Sequence, residues 1–435
     1  MNILIRNGRV IDPASRLDQL ADVAVSHGRI AAIVPHGGHA PASFHAEQTI
    51  DASGCIVAPG LVDAQVRLRE PGHEHAGMLD SELGAAVAGG VTSLVCPPDT
   101  DPVLDEPGLV DMLQHRAGLL RRARVFPLGA LTRGLRGEVL TEMAELTEAG
   151  CVGFTQAEVP VADTQVLQRA MQYAATYGLT VWLRPQELHL GKGVAASGPL
   201  ATRLGLSGVP VAAETIALHT IFALMRSTRA RVHLCRISSA EGVALVRAAK
   251  DEGLAVTADV SINSLHLSDH DIGYFDSRAR LTPVLRQQRD RDALQAALAD
   301  GTLDVLVSDH TPIDNDAKAL PFAQAEPGAT GLELLLSLAL KWGEGEGVGL
   351  MRALDVITAQ PAKLLPQAHE RGLGQLKPGG EADIVVFDPT QTWQVTPQAL
   401  HSQGKHTPFA FDVSGMALPA RVRTTLVGGR IVYQA

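Results

Sequence analysis

Residues 61–72 read LVDAQVRLREPG and gather Asp63, Gln65, Arg67, Arg69 and Glu70 at the tip of a small, apolar run that closes in a Pro-Gly turn. That is the pattern of a buried strand delivering polar side chains at its end. Other apolar runs end in the same way. LTVWLRP offers Arg184, ARVHLCRIS offers Arg236, DVLVSDH offers Asp309 and His310, CVGFTQ ends on Gln156, and Asp99 follows VTSLVCPP. Guanidinium groups suit carboxylates and phosphates. They stay protonated and hold no lone pair for a metal. Strand ends rich in arginine therefore point to ion pairing or anion binding. His73-Glu74-His75 is a His-x-His in the following loop and reads as solvated; His233 and His266 read as hydrogen-bonded core residues. Asp314, Asn315 and Asp316 form a polar turn.

Eight strand candidates position these residues: 61–68, 91–97, 123–131, 151–156, 179–185, 230–238, 255–261 and 304–310. Most are continuous apolar runs, as buried parallel strands require. Helical stretches intervene, among them 164–178, 214–228 and 240–253. Eight such units predict an α/β fold, a (β/α)₈ barrel over residues 59–369, whose chemistry belongs at the C-terminal strand ends. Residues 1–58 and 370–435 carry short strands and Gly turns. They are expected to form one composite β-sandwich module from both termini. In its first segment, ILIRNGRVID predicts two strands divided by a turn at Asn7-Gly8, and a second turn falls at His27-Gly28.

Composition narrows the function classes. The 435 residues carry a formal net charge of -10 and no basic run, which opposes non-specific nucleic-acid binding. No apolar run reaches the ~18 residues of a membrane span. The four cysteines are widely spaced and read as reduced thiols, and the opening residues are too polar for a signal peptide. A cytoplasmic location is expected.

The motifs LREPG, PPDTDPV, RLGLSGVPVAAE, RLTPVLR, SDHTP and PFAQAEPGATGLE together resemble the dihydroorotase branch of the amidohydrolase superfamily. The resemblance implies a barrel of amidohydrolase type, with zinc held by histidines and carboxylates at successive strand ends. In the opening motif the two ligand histidines fall on Gln65 and Arg67. The bridging carboxylate falls within Thr155, Gln156 and Ala157, and the later histidines fall on Arg184 and Arg236. Of these positions only the final aspartate, Asp309, is kept. Zinc needs imidazole, thiolate or carboxylate donors, so no metal or other cofactor is expected. Among substrate positions Arg69 is kept, whereas Asp99, Thr282 and Ile313 depart from the family pattern. Without a metal-activated water, Asp309 has nothing to deprotonate, and it is expected to be structural. Arg67, Arg184 and Arg236 are expected to replace the metal charge by pairing with Asp309 and Asp99. An anion pocket made of Arg67, Arg69, Arg184 and Arg236 is the rival reading.

The function the resemblance implies is that of a non-catalytic dihydroorotase-like subunit in pyrimidine biosynthesis. Such a subunit would hold the catalytic chain of aspartate carbamoyltransferase in a hetero-oligomer. Two alternatives remain: an active cyclic amidohydrolase with a non-standard site, and an anion-sensing subunit.

Overall fold

Each of the eight expected barrel strands forms in the computed structural model, which describes residues 2–38, 44–345, 347–366, 368–410 and 416–435. They are Leu61–Asp63, Val91–Cys96, Arg124–Pro127 with its continuation Gly129–Ala130, Phe154–Thr155, Thr180–Leu183, Arg231–Leu234, Val256–Ser261 and Val305–Val307. Their pairing is parallel throughout. A parallel bridge between Val66 and His310 joins the first strand's extension to the last and closes the ring. Val62, Val95, Leu128, Trp182, Cys235 and Val305 fill the interior, while a larger apolar layer lies between strands and helices.

The helices follow from local signals. Thr164–Thr176 starts behind Asp163, whose carboxylate accepts the Gln165 N–H, and Ala240–Asp251 starts behind Ser239, whose hydroxyl accepts the Gly242 N–H. Each cap satisfies a donor that the first turn would leave orphaned.

Strands from both ends of the chain share one eight-stranded sheet. Ile56–Pro59 pairs with Asn2–Asp12 on one side and with Ile384–Asp388 on the other. Alternation divides its side chains. Ile3, Ile5, Val23, Val57, Ile384 and Val386 face the sheet's own core, and Ile56, Ala58, Val385 and Phe387 face the barrel layer. Gly90 sits where the two meet with φ +84°, and a Cβ there would stand 2.7 Å from Val385 Cγ2.

The expected turn at Asn7-Gly8 is instead a bulge inside a single strand, Asn2–Asp12. One extra residue lies between Ile5 and Gly8, and Asn7 takes it up with φ 63° while donating its N–H to Asp22 at 2.9 Å. Asn tolerates that conformation, so the Asn-Gly pair served a bulge as readily as a turn. His27-Gly28 is a two-residue hairpin turn with φ 50° and 79°. No helix among the described residues is long and apolar enough to cross a membrane.

Residues 399–410 form a strap over the barrel. Buried Glu333 accepts the N–H groups of His401 and Ser402, and Thr330 bonds the carbonyls of Gly404 and His406. The Gln403 amide reaches the carbonyls of Glu74 and His75. The strap thereby ties two loops of the barrel mouth together.

Candidate functional site

The barrel mouth gathers the polar residues carried by the strand ends. Arg67 and Arg69 follow the first strand, Asp99 the second and Glu158 the fourth. Arg184 follows the fifth, Arg236 the sixth and Asp309 the eighth. Arg69, Ala157, Arg236 and Asp309 hold positive φ, at 63°, 52°, 57° and 52°. For non-glycine residues this costs roughly 1–3 kcal/mol each, and surrounding contacts must fix it. Here the sharp turn swings each side chain into the mouth or away from the strand path.

Glu158 is the hub. Its Oε1 accepts from Arg67 Nη2 at 2.8 Å and also pairs with Arg236 Nη2; its Oε2 stands 2.7 Å from Arg184 Nε. The last contact is an ion pair whose N–H is not aligned for a hydrogen bond. Arg67 Nε reaches Asp99 at 2.8 Å and its Nη1 reaches Thr311 Oγ1 at 3.1 Å. Arg236 Nη1 reaches Asp309 at 3.0 Å. The three arginine side chains are 2–6% exposed, whereas Glu158 opens 32% of its side chain to the cavity.

Arg67 with Asp99 and Arg236 with Asp309 are the pairs expected from the sequence. Arg184 differs: it pairs with neither aspartate, because Glu158 lies closer to the fifth strand. Glu158 was missed although it is the first acid after Gln156, inside the stretch searched for a bridging carboxylate. Gln156 instead turns to Thr132, whose hydroxyl donates to it at 2.9 Å. Gln65 is buried, with its backbone N–H on Asp63.

Charge balance differs along the cluster. At Glu158 burial pushes the carboxyl upward, but Arg236, Arg184 and Arg67 outweigh it and hold the group well below the usual carboxylate range. Asp309 has one close guanidinium, and there burial wins, raising it to about 6. Arg236 is pushed up by its two carboxylates against the cost of burial. Arg69 stands apart. It bonds the Pro312 carbonyl at 2.9 Å and lies 3.8 Å from Glu326, and burial lowers it.

His310 takes no part in this cluster. Its Nδ1 accepts the Gly331 N–H at 3.1 Å, which puts the ring proton on Nε2, where Glu82 accepts it at 2.8 Å. His310 is fully buried and is no acid–base partner of Asp309. His73 and His75 lie in the loop, with His75 3.7 Å from Asp314. Asp314 caps the short helix Asn315–Lys318, and Asn315 bonds His406. His266 meets the Leu338 carbonyl.

The strand-end residues do not form a zinc donor set. Three of the positions hold guanidiniums, and the carboxylates between them are already ion-paired. One other group among the described residues, His233, Cys235 and Asp259, brings potential donor atoms together. It lies buried, with His233 bonded to Thr257 at 2.8 Å and Asp259 at 2.9 Å. Asp259 also accepts the Arg236 backbone N–H, and burial pushes the Cys235 thiol well above its usual value. Its lone pairs are spent on holding the barrel interior.

The relatives match this architecture. The profile described as dihydro-orotase-like matches residues 54–242, and the amidohydrolase family profile matches residues 211–433. A dihydroorotase-like protein of Pseudomonas aeruginosa is 43% identical over the whole of both chains. The chain belongs to the dihydroorotase-like amidohydrolases. A protein named dihydroorotase from Syntrophotalea carbinolica is 38% identical, over 100% of this chain and 99% of its own. Among solved structures, the L-hydantoinase (dihydropyrimidinase) of Arthrobacter aurescens superposes with a TM-score of 0.86. It is 24% identical, over 99% of this chain and 96% of that one, and supports the fold alone.

The loop over the family site is fastened by Lys318. This lysine is 1% exposed, and its ammonium donates to the carbonyls of Arg280, Glu326 and Gly328 at 2.9, 2.9 and 2.7 Å. Lys318→Met leaves three acceptors without donors, each worth roughly 1–3 kcal/mol when buried. The expected outcome is faster amide hydrogen exchange across residues 314–328, with the barrel strands unchanged.

Proposed function

We propose that this chain is a non-catalytic dihydroorotase homologue that assembles aspartate carbamoyltransferase. The observation that carries the reading is the convergence of Arg67, Arg184 and Arg236 on Glu158. The arginines stand where the family resemblance places metal ligands, and a carboxylate lies between them. Such a cluster supplies positive charge to Asp309 and Asp99 without zinc, so the mouth stays folded while a metal-activated water has nowhere to form. A chain that keeps its barrel, its β-module and its strap with a closed site is suited to docking. A hetero-oligomer with the transcarbamoylase chain follows from the family resemblance, and a cytoplasmic setting goes with it.

The test is metal content of the purified protein alongside dihydroorotate hydrolysis with added zinc, followed by co-purification with the transcarbamoylase chain from the same source. The expected result is far less than one zinc per chain, no turnover above buffer, and a mixed complex on size exclusion. Stoichiometric zinc with turnover would overturn the reading. Two named relatives are dihydroorotases by name, which makes this assay decisive.

A further inference from the structure

The cavity at the barrel mouth has a volume of about 410 Å³ and is lined by seven cationic and five acidic side chains. The acids are not evenly available. Asp99, Glu158 and Asp309 are taken by Arg67, Arg184 and Arg236. Glu214 is spent on Ser238 and Ser239, accepting both their hydroxyls and both their backbone N–H groups. That leaves half-exposed Glu326, 3.8 Å from Arg69.

The cations left over lie on the outer wall. Arg280 donates only to the neighbouring Leu281 carbonyl at 3.3 Å, and its Nε is buried with no acceptor. Lys192 lines the same cavity, is exposed, and makes no hydrogen bond or ion pair among the described residues. Arg69 holds only a carbonyl and the long Glu326 contact. A partly buried guanidinium without an acceptor is costly, and an incoming oxyanion satisfies it with charge-assisted bonds.

We propose that the outer wall of this cavity, Arg280 and Lys192 facing it together with Arg69, binds a small oxyanion ligand, a phosphate or a short dicarboxylate. The site differs from the arginine cluster expected from the sequence, because Arg67, Arg184 and Arg236 are held by Glu158 and its neighbours. It adds a wall that the retained Arg69 alone does not supply. Glu326 is the internal competitor, swinging toward Arg69 when the site is free. The inference rests on the reading that the inner site holds arginines in place of metal.

The experiment titrates inorganic phosphate and, separately, succinate at constant ionic strength into the full chain after zinc has been measured and removed with chelator. Melting temperature and calorimetric heat are followed. The expected result is a saturable stabilisation by at least one probe; phosphate alone identifies a single-oxyanion site and succinate alone a two-ended one. Arg280→Met is expected to weaken that binding about tenfold or more, equivalent to one charge-assisted contact, and Glu326→Gln to tighten it. Arg280 donates only to its neighbour's carbonyl through its side chain, so Arg280→Met folds. No saturable response in a zinc-free, inactive chain would overturn this inference and leave the proposed function standing. A response unchanged in Arg280→Met would overturn it too. A response that needs bound zinc would overturn both.

Discussion

Glu158→Gln is expected to destabilise the protein by roughly 3–5 kcal/mol, the range for removing one partner from a buried ion pair. The lower end applies, because the carboxylate keeps a third of its surface open to the cavity and water screens part of its charge. Glutamine has nearly the same shape, so packing is preserved and the loss reports charge. Three guanidiniums that are almost wholly buried then face one another, with only Asp99 and Asp309 to balance them. Thermal unfolding at neutral pH measures it.

The pH dependence separates this from an ordinary cavity effect. Glu158 is held below its unfolded value of about 4.3. Its contribution is therefore fully present above that pH and is lost as pH falls through the lower folded value. The gap between wild type and Glu158→Gln should close in strong acid. Asp309 works in the opposite sense. Its folded value is raised to about 6, so the folded state binds that proton more tightly, and stability falls as pH rises from about 4 through 6. The two groups oppose each other near pH 5, and Asp309→Asn should remove the higher-pH slope while leaving the acid one. A gap that stays constant from pH 8 to pH 3 would show that Glu158 acts through shape and not charge.

The barrel was legible in the sequence because each strand is a run of Val, Leu, Ile and Ala buried on both faces, which leaves a continuous apolar signature. The arginine cluster was legible in part. Arg67, Arg184 and Arg236 each follow such a run directly, so their place at the mouth follows from the fold. Which acid each one meets does not follow, since loop geometry beyond the strand end decides it. Ala157 turns with φ 52° and brings Glu158 inward, and that turn has no glycine to announce it. Lys318 was hidden for a similar reason. In sequence it sits beside a polar turn, yet the loop folds back and buries it against three carbonyls. The Asn7-Gly8 pair misled because bulge and turn ask the same of the backbone.

The strap was the least legible element, and it carries the second large prediction. Glu82 is fully buried, 320 positions before Ser402, and accepts from four groups. These are His310 Nε2 at 2.8 Å, Ser402 Oγ at 2.6 Å, Gln403 N at 3.0 Å and Ser81 Oγ at 2.8 Å. Burial would raise the carboxyl, but His310, Ser402 and Gln403 lower it below the ordinary value. Its contribution is therefore intact above about pH 4.3 and is lost as pH falls through the lower folded value. Glu82→Gln replaces one acceptor oxygen with an amide donor. His310 cannot rearrange to accept from it, because its Nδ1 is taken by the Gly331 N–H and its Nε2 carries the proton. Donor then faces donor whichever way the amide turns, since Gln403 N–H lies on the other oxygen. An unsatisfied buried donor costs roughly 1–3 kcal/mol, and the variant creates one while weakening charge-assisted bonds of about 1.5–3 kcal/mol each. A loss of roughly 3–5 kcal/mol is expected, against about 1 for Ser402→Ala, which removes a single hydroxyl. The strap also loses its inner anchor, so limited proteolysis should cut Glu82→Gln within residues 399–410 under conditions that leave Ser402→Ala whole. Equal losses in the two variants would mean that Glu82 serves the strap only through Ser402, and that His310 is held in place by its backbone partners alone.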